Sequence, residues 1–351
     1  MNSYYDDIDR YESYEEQFNP LRVDRQARRK RRPNTHYKPK KSETQVIEEA
    51  AQTIGLEGGF ETSYKPSKHE ALWLMQSLRE FYQQELISDV EALIKGGKEA
   101  NVYRCAAHPA TGETWLAVKV YRPRMFRNLR NDHRYRQGRT MLTPNGRPVR
   151  ARDERARRAV ANKTSFGQQV SHTSWLMHEY TTLELLYEAG GAVPRPLAAA
   201  DNAILMGYVG GAGGAAPALN EISLGAEEAK PLFETVMQNI ALMLAYGRVH
   251  GDLSAYNILY WDGDVTLIDF PQVVNSKVGR GTRHALDSAP NPDAYDILAR
   301  DVTRVCDYFN RQGARVDAQR LIDNLWSRFV SDSSEQRLAD ASRWQMEDVG
   351  S

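Results

Sequence analysis

Apolar and polar residues alternate along the chain with two different periods, and the period of each segment predicts its secondary structure. Apolar residues recur at helical spacing after Ser67, where S-K-H-E places Glu70 three positions behind a serine and matches a capping box. Residues 93–105 and 115–121 follow the pattern of strands, and a glycine pair interrupts the first of these stretches. A further apolar run covers residues 203–210. The first half of the chain therefore predicts one helix followed by a small sheet.

The second half of the chain is richer in helical patterns. The spacing of apolar residues predicts helices at 175–187, 231–246, 291–311 and 316–346. Short strand-like runs lie between the second and third of these, in V-H-G-D-L-S-A-Y-N-I-L-Y and in V-T-L-I-D-F. The order of elements favours an α+β fold in which a β-rich N-terminal lobe precedes a small, truncated helical C-terminal lobe.

The length of the chain predicts more than one unit. A chain of 351 residues exceeds what one compact core usually holds. We predict a mostly disordered tail over 1–62, an N-terminal helix and N-lobe over 63–210, and a C-lobe over 211–351. A long insertion at 122–158 interrupts the N-lobe.

Charge is balanced over the whole chain but is distributed in blocks. Basic residues (Lys and Arg) and acidic residues number 46 each, yet six acids fall within residues 1–19 and five consecutive cations occupy 28–32. The insertion at 122–158 contains thirteen arginines and three acids. Such blocks fit either solvated segments without a partner or a contact with the phosphate backbone of RNA, and both interpretations stay open.

Other features of the composition exclude several classes of protein. The chain has no apolar run of the length that spans a membrane, and its acidic start lacks the apolar segment of a signal peptide. The two cysteines, Cys105 and Cys306, lie far apart and do not form a disulfide framework. A cytoplasmic protein without a membrane partner is expected.

One short motif places polar residues between apolar ones. In H-G-D-L-S-A-Y-N-I-L, Asp252 and Asn257 lie five positions apart, and Asp269 follows at the end of the apolar run in L-I-D-F. Burying such groups without a partner is costly. Phosphoryl transfer from ATP needs a carboxylate beside the incoming hydroxyl, and it needs carboxylate and amide oxygens to bind magnesium. Asp252 is therefore the candidate catalytic carboxylate, and Asn257 and Asp269 are the candidate metal ligands.

The other parts of a nucleotide site occur in the required order. Gly96, Gly97 and Lys98 begin a loop whose backbone N–H groups are suited to cover phosphates. Lys119, in A-V-K-V on the third strand, is the candidate for binding the α- and β-phosphates, and Glu179 on the next helix is its expected partner. A lysine in a strand or a glutamate on a helix is usually a surface charge when taken alone. The complete ordered set predicts a nucleotide phosphotransferase.

These motifs resemble those of the RIO family of atypical serine/threonine protein kinases. The likeness extends over residues 88–311 and rests on five segments. They are G-G-K-E-A-N-V-Y (96–103), A-V-K-V-Y (117–121), H-G-D-L-S-A-Y-N-I-L (250–259), L-I-D-F-P-Q-V-V (267–274) and N-P-D-A-Y-D-I-L-A-R-D-V-T-R-V-C-D-Y-F (291–309).

The resemblance implies a bilobal kinase fold, ATP with Mg²⁺ (or Mn²⁺ in its place) as cofactors, autophosphorylation and a role in ribosome maturation. It also implies that the backbone of Met206 and Tyr208 binds adenine, and that Asp269 is the position at which some family members carry a phosphoryl group. Gly96 and Gly97 replace the hydroxyl residues of the family's phosphate loop. No winged-helix module is recognisable at the N-terminus.

Three functions are compatible with these residues. The first is a serine/threonine protein kinase with an unknown protein substrate. The second is an ATPase switch that passes through phospho-aspartate and binds rRNA or a ribosomal particle through the basic tail and insertion. The third is a small-molecule kinase of the aminoglycoside or choline type, because those enzymes also use H-G-D-x-x-x-x-N. The segments G-K-E-A-N-V-Y and L-I-D-F-P-Q favour a RIO-type enzyme over this third class.

Overall fold

The structure is a computed structural model, and it describes residues 62–97, 99–122, 141–149, 153–162, 164–279 and 288–330. The tail predicted at 1–62 lies outside the described residues except for its last position, and so do Lys98 and most of the insertion. The statements below concern the described residues alone.

An antiparallel sheet of five strands forms the N-terminal part of the protein, with the strands in the order β1-β2-β3-β5-β4. β3 lies in the middle of this sheet and is paired with β2 and β5, so that Lys119 faces Val102 on one side and Ile204 on the other. The five strands are β1 (Ile87–Gly96), β2 (Ala100–Ala107), β3 (Trp115–Tyr121), β4 (Pro196–Ala199) and β5 (Ala203–Gly207).

The helix α1 (Lys68–Gln83) covers one face of the sheet. It begins at Ser67, whose side chain accepts from the backbone of Glu70 while the Glu70 side chain accepts from Ser67, so the predicted capping box is present. Its apolar face is buried against inward-facing residues of β1, β2, β3 and β5. The segment before α1 runs beside β1, because Tyr64 N donates to Val90 O at 2.8 Å.

The helices α2 (Glu154–Ala161) and α3 (Ser165–Glu188) lie between β3 and β4 in the chain. α3 begins ten residues before the predicted helix, because Thr164 caps it by accepting from the backbone N–H of Gly167. Buried residues of α3, among them Leu176 and Leu183, belong to the apolar core of the C-terminal part. The helix that carries Glu179 thus packs against the C-terminal core while its glutamate reaches the sheet.

The C-terminal part is built on three helices, and a single buried core joins them. Short strand pairs hold the loops before and between these helices: β6 with β7 before α4, and β8 with β11, β9 with β10, and β12 with β13 between α4 and α5. The helices are α4 (Ala226–Ala245), α5 (Pro292–Arg311) and α6 (Ala318–Val330), and the strands are β6 (Gly210–Gly211), β7 (Gly214–Ala215), β8 (Arg248–Val249), β9 (Ile258–Trp261), β10 (Asp264–Leu267), β11 (Val274–Asn275), β12 (Lys277–Gly279) and β13 (Ser288–Pro290).

Two described pieces of the arginine-rich insertion are folded. Leu142 and Pro148 form a bridge, and Leu142 N donates to the Ser174 hydroxyl on α3 at 3.0 Å. α2 forms the second piece. The buried side chain of Leu142 and the packing of α2 on α3 hold these residues to the body of the protein.

The architecture agrees with the α+β prediction: a β-rich N-terminal part precedes a small helical C-terminal part. The residue limits of the predicted domains stay a prediction. Among the residues that the structure describes, no helix is both long enough and apolar enough to span a membrane.

Candidate active site

A buried lysine joins two carboxylates between the two parts of the protein. Lys119 Nζ lies 2.6 Å from Glu179 Oε1 and 2.5 Å from Asp269 Oδ1. The lysine and the glutamate are buried, whereas 41% of the Asp269 side chain is exposed. The structure thus brings together three predicted site residues that are separated by 60 and 150 positions in the chain.

Tyr121 provides a further contact within this cluster. Its hydroxyl donates to Glu179 Oε2, and its ring packs edge-on against Trp175 with the ring centroids 4.7 Å apart. Both oxygens of Glu179 therefore have a donor, one from Lys119 and one from Tyr121. This arrangement fixes the orientation of the glutamate with respect to the lysine.

Burial and charge act in opposite directions on the pKa values of the three groups. Burial raises the pKa of Glu179 to about 7, although Lys119 opposes the shift. Burial alone would raise the pKa of Asp269, but the neighbouring Lys119 ammonium lowers it overall. Burial would lower the pKa of Lys119, but Asp269 and Glu179 together raise it. Lys119 and Asp269 are therefore charged near neutral pH.

Asp252 and Asn257 lie on a loop between β8 and β9. Asn257 Nδ2 donates to the carbonyl oxygen of Asp252 at 2.8 Å, which closes the loop. Ile268 N donates to Asn257 O at 3.0 Å and places this loop beside the segment that carries Asp269. Asp269 has a φ of +73°, a left-handed conformation that is uncommon for a residue other than glycine.

These residues are suited to bind a divalent metal ion. The Asn257 amide nitrogen is already used in the loop, so the amide oxygen is the atom left to act as a ligand. Asp269 uses Oδ1 for Lys119 and is partly exposed. Magnesium typically takes one or two protein oxygens together with phosphate and water, and this pair supplies that number. No cluster of three or more His, Cys, Asp or Glu side chains suited to a metal occurs within the described residues.

The helix α5 holds the backbone of the candidate catalytic loop. Asp301 Oδ2 accepts from Gly251 N at 2.8 Å, and Arg300 Nη2 donates to Gly251 O. Gly251 has a φ of +92°, and a Cβ there would lie 2.1 Å from Gln272 O. Only glycine fits this position, which explains why the loop reads H-G-D.

Arg304, one turn further along α5, contacts the candidate catalytic carboxylate. Its Nη1 lies 3.0 Å from Asp252 Oδ1, and both side chains are close to half exposed. Asp252 thus lies at an accessible edge of the site. Its carboxylate is bonded to a cation rather than being buried.

Asn101 supports the predicted phosphate-covering loop. Gly97 N donates to Asn101 Oδ1 at 3.4 Å, and the Arg122 guanidinium donates to the same oxygen. A Cβ on Gly97 would lie 2.7 Å from Ala100 O, so the turn requires glycine there. Gly96 is the last residue of β1, and Lys98 is not among the described residues.

The same polar network continues to α1. Asn101 Nδ2 donates to Tyr103 Oη at 2.9 Å, and Tyr103 in turn donates to Glu70 of the capping box. Tyr64, in the segment before α1, also donates to Glu70. A chain of hydrogen bonds therefore runs from the N-terminal helix to the glycine turn.

The predicted adenine-binding residues lie at the C-terminal end of β5. Met206 is paired within β5 between Ala117 and Pro196, whereas Tyr208 directly follows the strand. The Tyr208 ring packs edge-on against Trp115, with a centroid distance of 6.1 Å. The adenine-binding role of these two residues stays a prediction.

Comparison with known proteins identifies the family. A family model described as the RIO domain matches residues 143–321. The RIO-type serine/threonine-protein kinase Rio1 of Haloferax volcanii is 31% identical over 244 residues, which cover 69% of each chain. The chain belongs to the RIO family.

The chain spans less than half the length of a second relative. The serine/threonine-protein kinase RIO1 of Chaetomium thermophilum is 29% identical over 262 residues, which cover 72% of this chain and 44% of that one. The crystal structure of the Rio2 kinase–ADP/Mg²⁺–phosphoaspartate complex from the same organism aligns with 88% of this chain and 97% of that one, at 17% identity and a TM-score of 0.42. The family assignment rests on the sequence comparisons.

The prediction of a RIO-type serine/threonine protein kinase, an ATP-dependent phosphotransferase, is confirmed by these relatives. The role of each site residue, the ribosomal partner and the cytoplasmic location stay predictions.

Sequence reasoning missed four residues of the RIO site. Tyr121 and Arg304 contact the predicted site residues Glu179 and Asp252. Arg300 and Asp301 contact the backbone of Gly251, the residue before Asp252. A weak signal existed for Asp301, because it interrupts the apolar positions of the helix in A-R-D-V. No local pattern identifies the other three, since their partners lie about fifty or more residues away.

Proposed function

We propose that this RIO protein transfers the γ-phosphoryl group of ATP to serine or threonine hydroxyls, including its own, with Asp252 as the catalytic carboxylate. The observation that carries the proposal is the bridge from Lys119 to Glu179 and Asp269, next to the loop that holds Asp252 and Asn257. A lysine held by a glutamate is the arrangement that binds the α- and β-phosphates in protein kinases.

Each residue of the site has one task in this proposal. Lys119 binds the α- and β-phosphates, and Glu179 and Tyr121 keep the lysine in place. Asn257 and Asp269 hold the metal ion, which neutralises phosphate charge when bound. The backbone of Gly96, Gly97 and Lys98 covers the phosphates, and the backbone at Met206 and Tyr208 binds adenine.

The transfer itself requires one proton acceptor. The substrate hydroxyl oxygen forms a bond to the γ-phosphorus, the bond from the γ-phosphorus to the β–γ bridging oxygen breaks, and ADP leaves. Asp252 accepts the hydroxyl proton. The exposure of its carboxylate at 41% allows a protein side chain to reach it.

A second candidate is an ATPase switch in which Asp269 itself receives the phosphoryl group. The partial exposure of Asp269 and its lowered pKa favour this, because an accessible ionised carboxylate is a competent acceptor. In that case a carboxylate oxygen of Asp269 bonds to the γ-phosphorus, the bond from the γ-phosphorus to the β–γ bridging oxygen breaks, and ADP leaves. Water later hydrolyses the acyl phosphate, which releases inorganic phosphate and regenerates the Asp269 carboxylate.

An RNA-containing ribosomal particle is the partner that the basic segments favour. α2 carries the exposed side chains of Arg155, Arg157 and Arg158, and Arg155 stacks on the exposed ring of Phe166 at 5.4 Å. Cations beside an aromatic ring suit phosphates and unpaired bases.

Deleting residues 1–62 should weaken RNA binding, most visibly at low salt, while ATP turnover is retained. Unchanged RNA affinity would remove the tail from this role.

The decisive experiment is incubation of the purified protein with Mg²⁺ and γ-labelled ATP, followed by acid and hydroxylamine treatment of the labelled protein. Acid-stable label on serine or threonine is expected for the kinase. Label that hydroxylamine removes would favour the ATPase switch. Bound ATP without any label would favour a small-molecule acceptor.

Two variants complete this test. Asp252→Ala should abolish transfer and leave ATP binding largely intact, whereas Lys119→Ala should weaken ATP affinity. Retained transfer in the first variant, or unchanged affinity in the second, would contradict the assigned role.

A further inference from the structure

The catalytic loop lacks a positive charge of its own. Residues 252–257 read D-L-S-A-Y-N and contain neither lysine nor arginine. Phosphoryl transfer spreads negative charge over the transferred group, and cations near that group stabilise the transition state. Lys119 is already bonded to two carboxylates at the other side of the site. A side-chain cation beside the attacking hydroxyl would therefore have to come from outside the loop.

Arg304 lies at that position. Its Nη1 is 3.0 Å from Asp252 Oδ1, the carboxylate assigned to the attacking hydroxyl, and 44% of the Arg304 side chain is exposed. Within the described part of the chain, the Arg304 guanidinium donates one hydrogen bond, from Nη1 to Asp252. A guanidinium carries five N–H donors in a planar fork, so donors remain for a second anion.

The helix fixes where this guanidinium can reach. Asp301 lies one turn before Arg304 on α5 and is bonded to Gly251 N, while Arg300 donates to Gly251 O. These contacts join the backbone of α5 to the loop at the residue before Asp252. The backbone of Arg304 is therefore held at a fixed position relative to the Asp252 carboxylate, while its guanidinium stays accessible.

We propose that Arg304 is a further catalytic residue of this kinase, whose guanidinium binds the transferred phosphoryl group while it remains next to Asp252. The inference rests on the proposed phosphotransferase function. A hydroxyl bonded to Asp252 places its oxygen about 3 Å from the γ-phosphorus in a reactive complex. A cation bonded to the same carboxylate consequently lies within reach of the phosphoryl oxygens.

Arg304 takes no proton and forms no covalent bond in this step. The hydroxyl oxygen bonds to the γ-phosphorus, the bridging oxygen leaves with ADP, and the hydroxyl proton goes to Asp252. The guanidinium donates N–H bonds to the phosphoryl oxygens as their charge develops. It binds the transition state more strongly than bound ATP, so its loss should lower the transfer rate more than ATP affinity.

The test compares Arg304→Ala, Arg304→Gln and Arg304→Lys in the full-length protein. Arg311→Ala is the matched control, since Arg311 is an exposed arginine in the last turn of the same helix. The readouts are the single-turnover rate of labelling from γ-labelled ATP with Mg²⁺ and the affinity for ATP. The Arg304–Asp252 pair is largely solvated, so these variants should fold normally.

Comparison of the three variants distinguishes the effect of the positive charge of Arg304 from that of its hydrogen bonding. Arg304→Ala and Arg304→Gln should each lower the labelling rate by about 100-fold or more, with ATP affinity changed by less than about threefold. Arg304→Lys should retain much of the rate, and added guanidinium ion should partly restore Arg304→Ala. The Arg311→Ala variant should match the wild type.

Three results would overturn the proposal. A wild-type rate in Arg304→Gln would mean that a hydrogen bond to Asp252 suffices and that the charge is not used. A labelling rate in Arg304→Ala that equals or exceeds that of the wild type would mean that the Arg304–Asp252 ion pair is dispensable or restrains Asp252. A wild-type protein that binds ATP but never becomes labelled would defeat the proposed function itself, and the proposal for Arg304 would fall with it.

Discussion

Asp301 accepts a hydrogen bond from the backbone amide of Gly251 at 2.8 Å, although fifty positions separate the two residues. Asp301 is buried, and burial is the main cause of its raised pKa. The carboxylate therefore holds the backbone just before Asp252 from inside the C-terminal core. The position of the catalytic loop depends on a helix that follows it by some forty residues.

Removal of this carboxylate should loosen the loop. Asp301→Ala leaves the Gly251 N–H without its partner, which should cost about 1–3 kcal/mol in the free energy of unfolding. Phosphoryl transfer should fall as well, and urea denaturation with labelling assays measures both. Asp296→Ala, at an exposed position on the same helix, should change the unfolding free energy by less than about 0.5 kcal/mol. Equal effects of the two substitutions would rule out an anchoring role for Asp301.

A methyl group at Gly251 should be far more damaging than one at another glycine of similar backbone conformation. In Gly251→Ala the Cβ would meet Gln272 O at 2.1 Å, in addition to the strain of a φ of +92°. Gly263→Ala is the matched control, because Gly263 has a φ of +84° and no atom within 4 Å of the added Cβ. The control should lose about 1 kcal/mol of stability, and Gly251→Ala should lose more and become inactive. Similar melting temperatures of Gly251→Ala and Gly263→Ala would show that the loop moves to accommodate the added Cβ at position 251.

Loss of one hydroxyl group should disturb the lysine–glutamate pair. Tyr121→Phe keeps the ring against Trp175 but removes the donor to Glu179 Oε2. The glutamate then gains freedom to turn away from Lys119, and kcat/KM for ATP should fall on the order of tenfold. Tyr187→Phe, at an exposed tyrosine on the same helix as Glu179, should have no effect. Unaltered kinetics in Tyr121→Phe would mean that Lys119 and the backbone N–H of Phe270 suffice to orient the glutamate.

The raised pKa of Glu179 predicts a specific dependence of stability on pH. In the unfolded chain the pKa of a glutamate is about 4.3, whereas in the folded protein the pKa of Glu179 is about 7. Between these values the folded state holds a proton that the unfolded state has released. Rising pH in this window therefore lowers the free energy of unfolding, by up to about 1.4 kcal/mol per pH unit.

Comparison with Glu179→Gln isolates this effect from other titrating groups. The difference in unfolding free energy, wild type minus variant, should decrease from about pH 5 to pH 7 and then become constant. Chemical denaturation at several pH values measures it. A difference that increases with pH would mean that Lys119 lowers the pKa of Glu179 more than burial raises it.

Local patterns predicted the parts of this protein whose partners are close in sequence. The capping box of α1 joins residues three positions apart, and the structure contains it as expected. The strand that carries Lys119 was likewise predicted from its apolar neighbours. The site residues themselves were proposed from spacing and family likeness, and three of them meet in the structure.

The residues that were missed share a physical reason. Tyr121 meets Glu179 across 58 positions, and Arg304 meets Asp252 across 52. No periodic pattern records such contacts, because they arise only when helices and strands pack. The start of α3 was missed for another reason: its first turns are polar, and the signal is a single capping threonine.

The segment before α1 has a practical consequence for producing the protein. The family likeness begins near residue 88, and a shortened chain cut there would lack Tyr64 and Glu70. These two residues begin the hydrogen-bond chain that passes through Tyr103 and Asn101 to the glycine turn. Truncated versions intended for nucleotide binding or crystallisation should therefore start no later than residue 63.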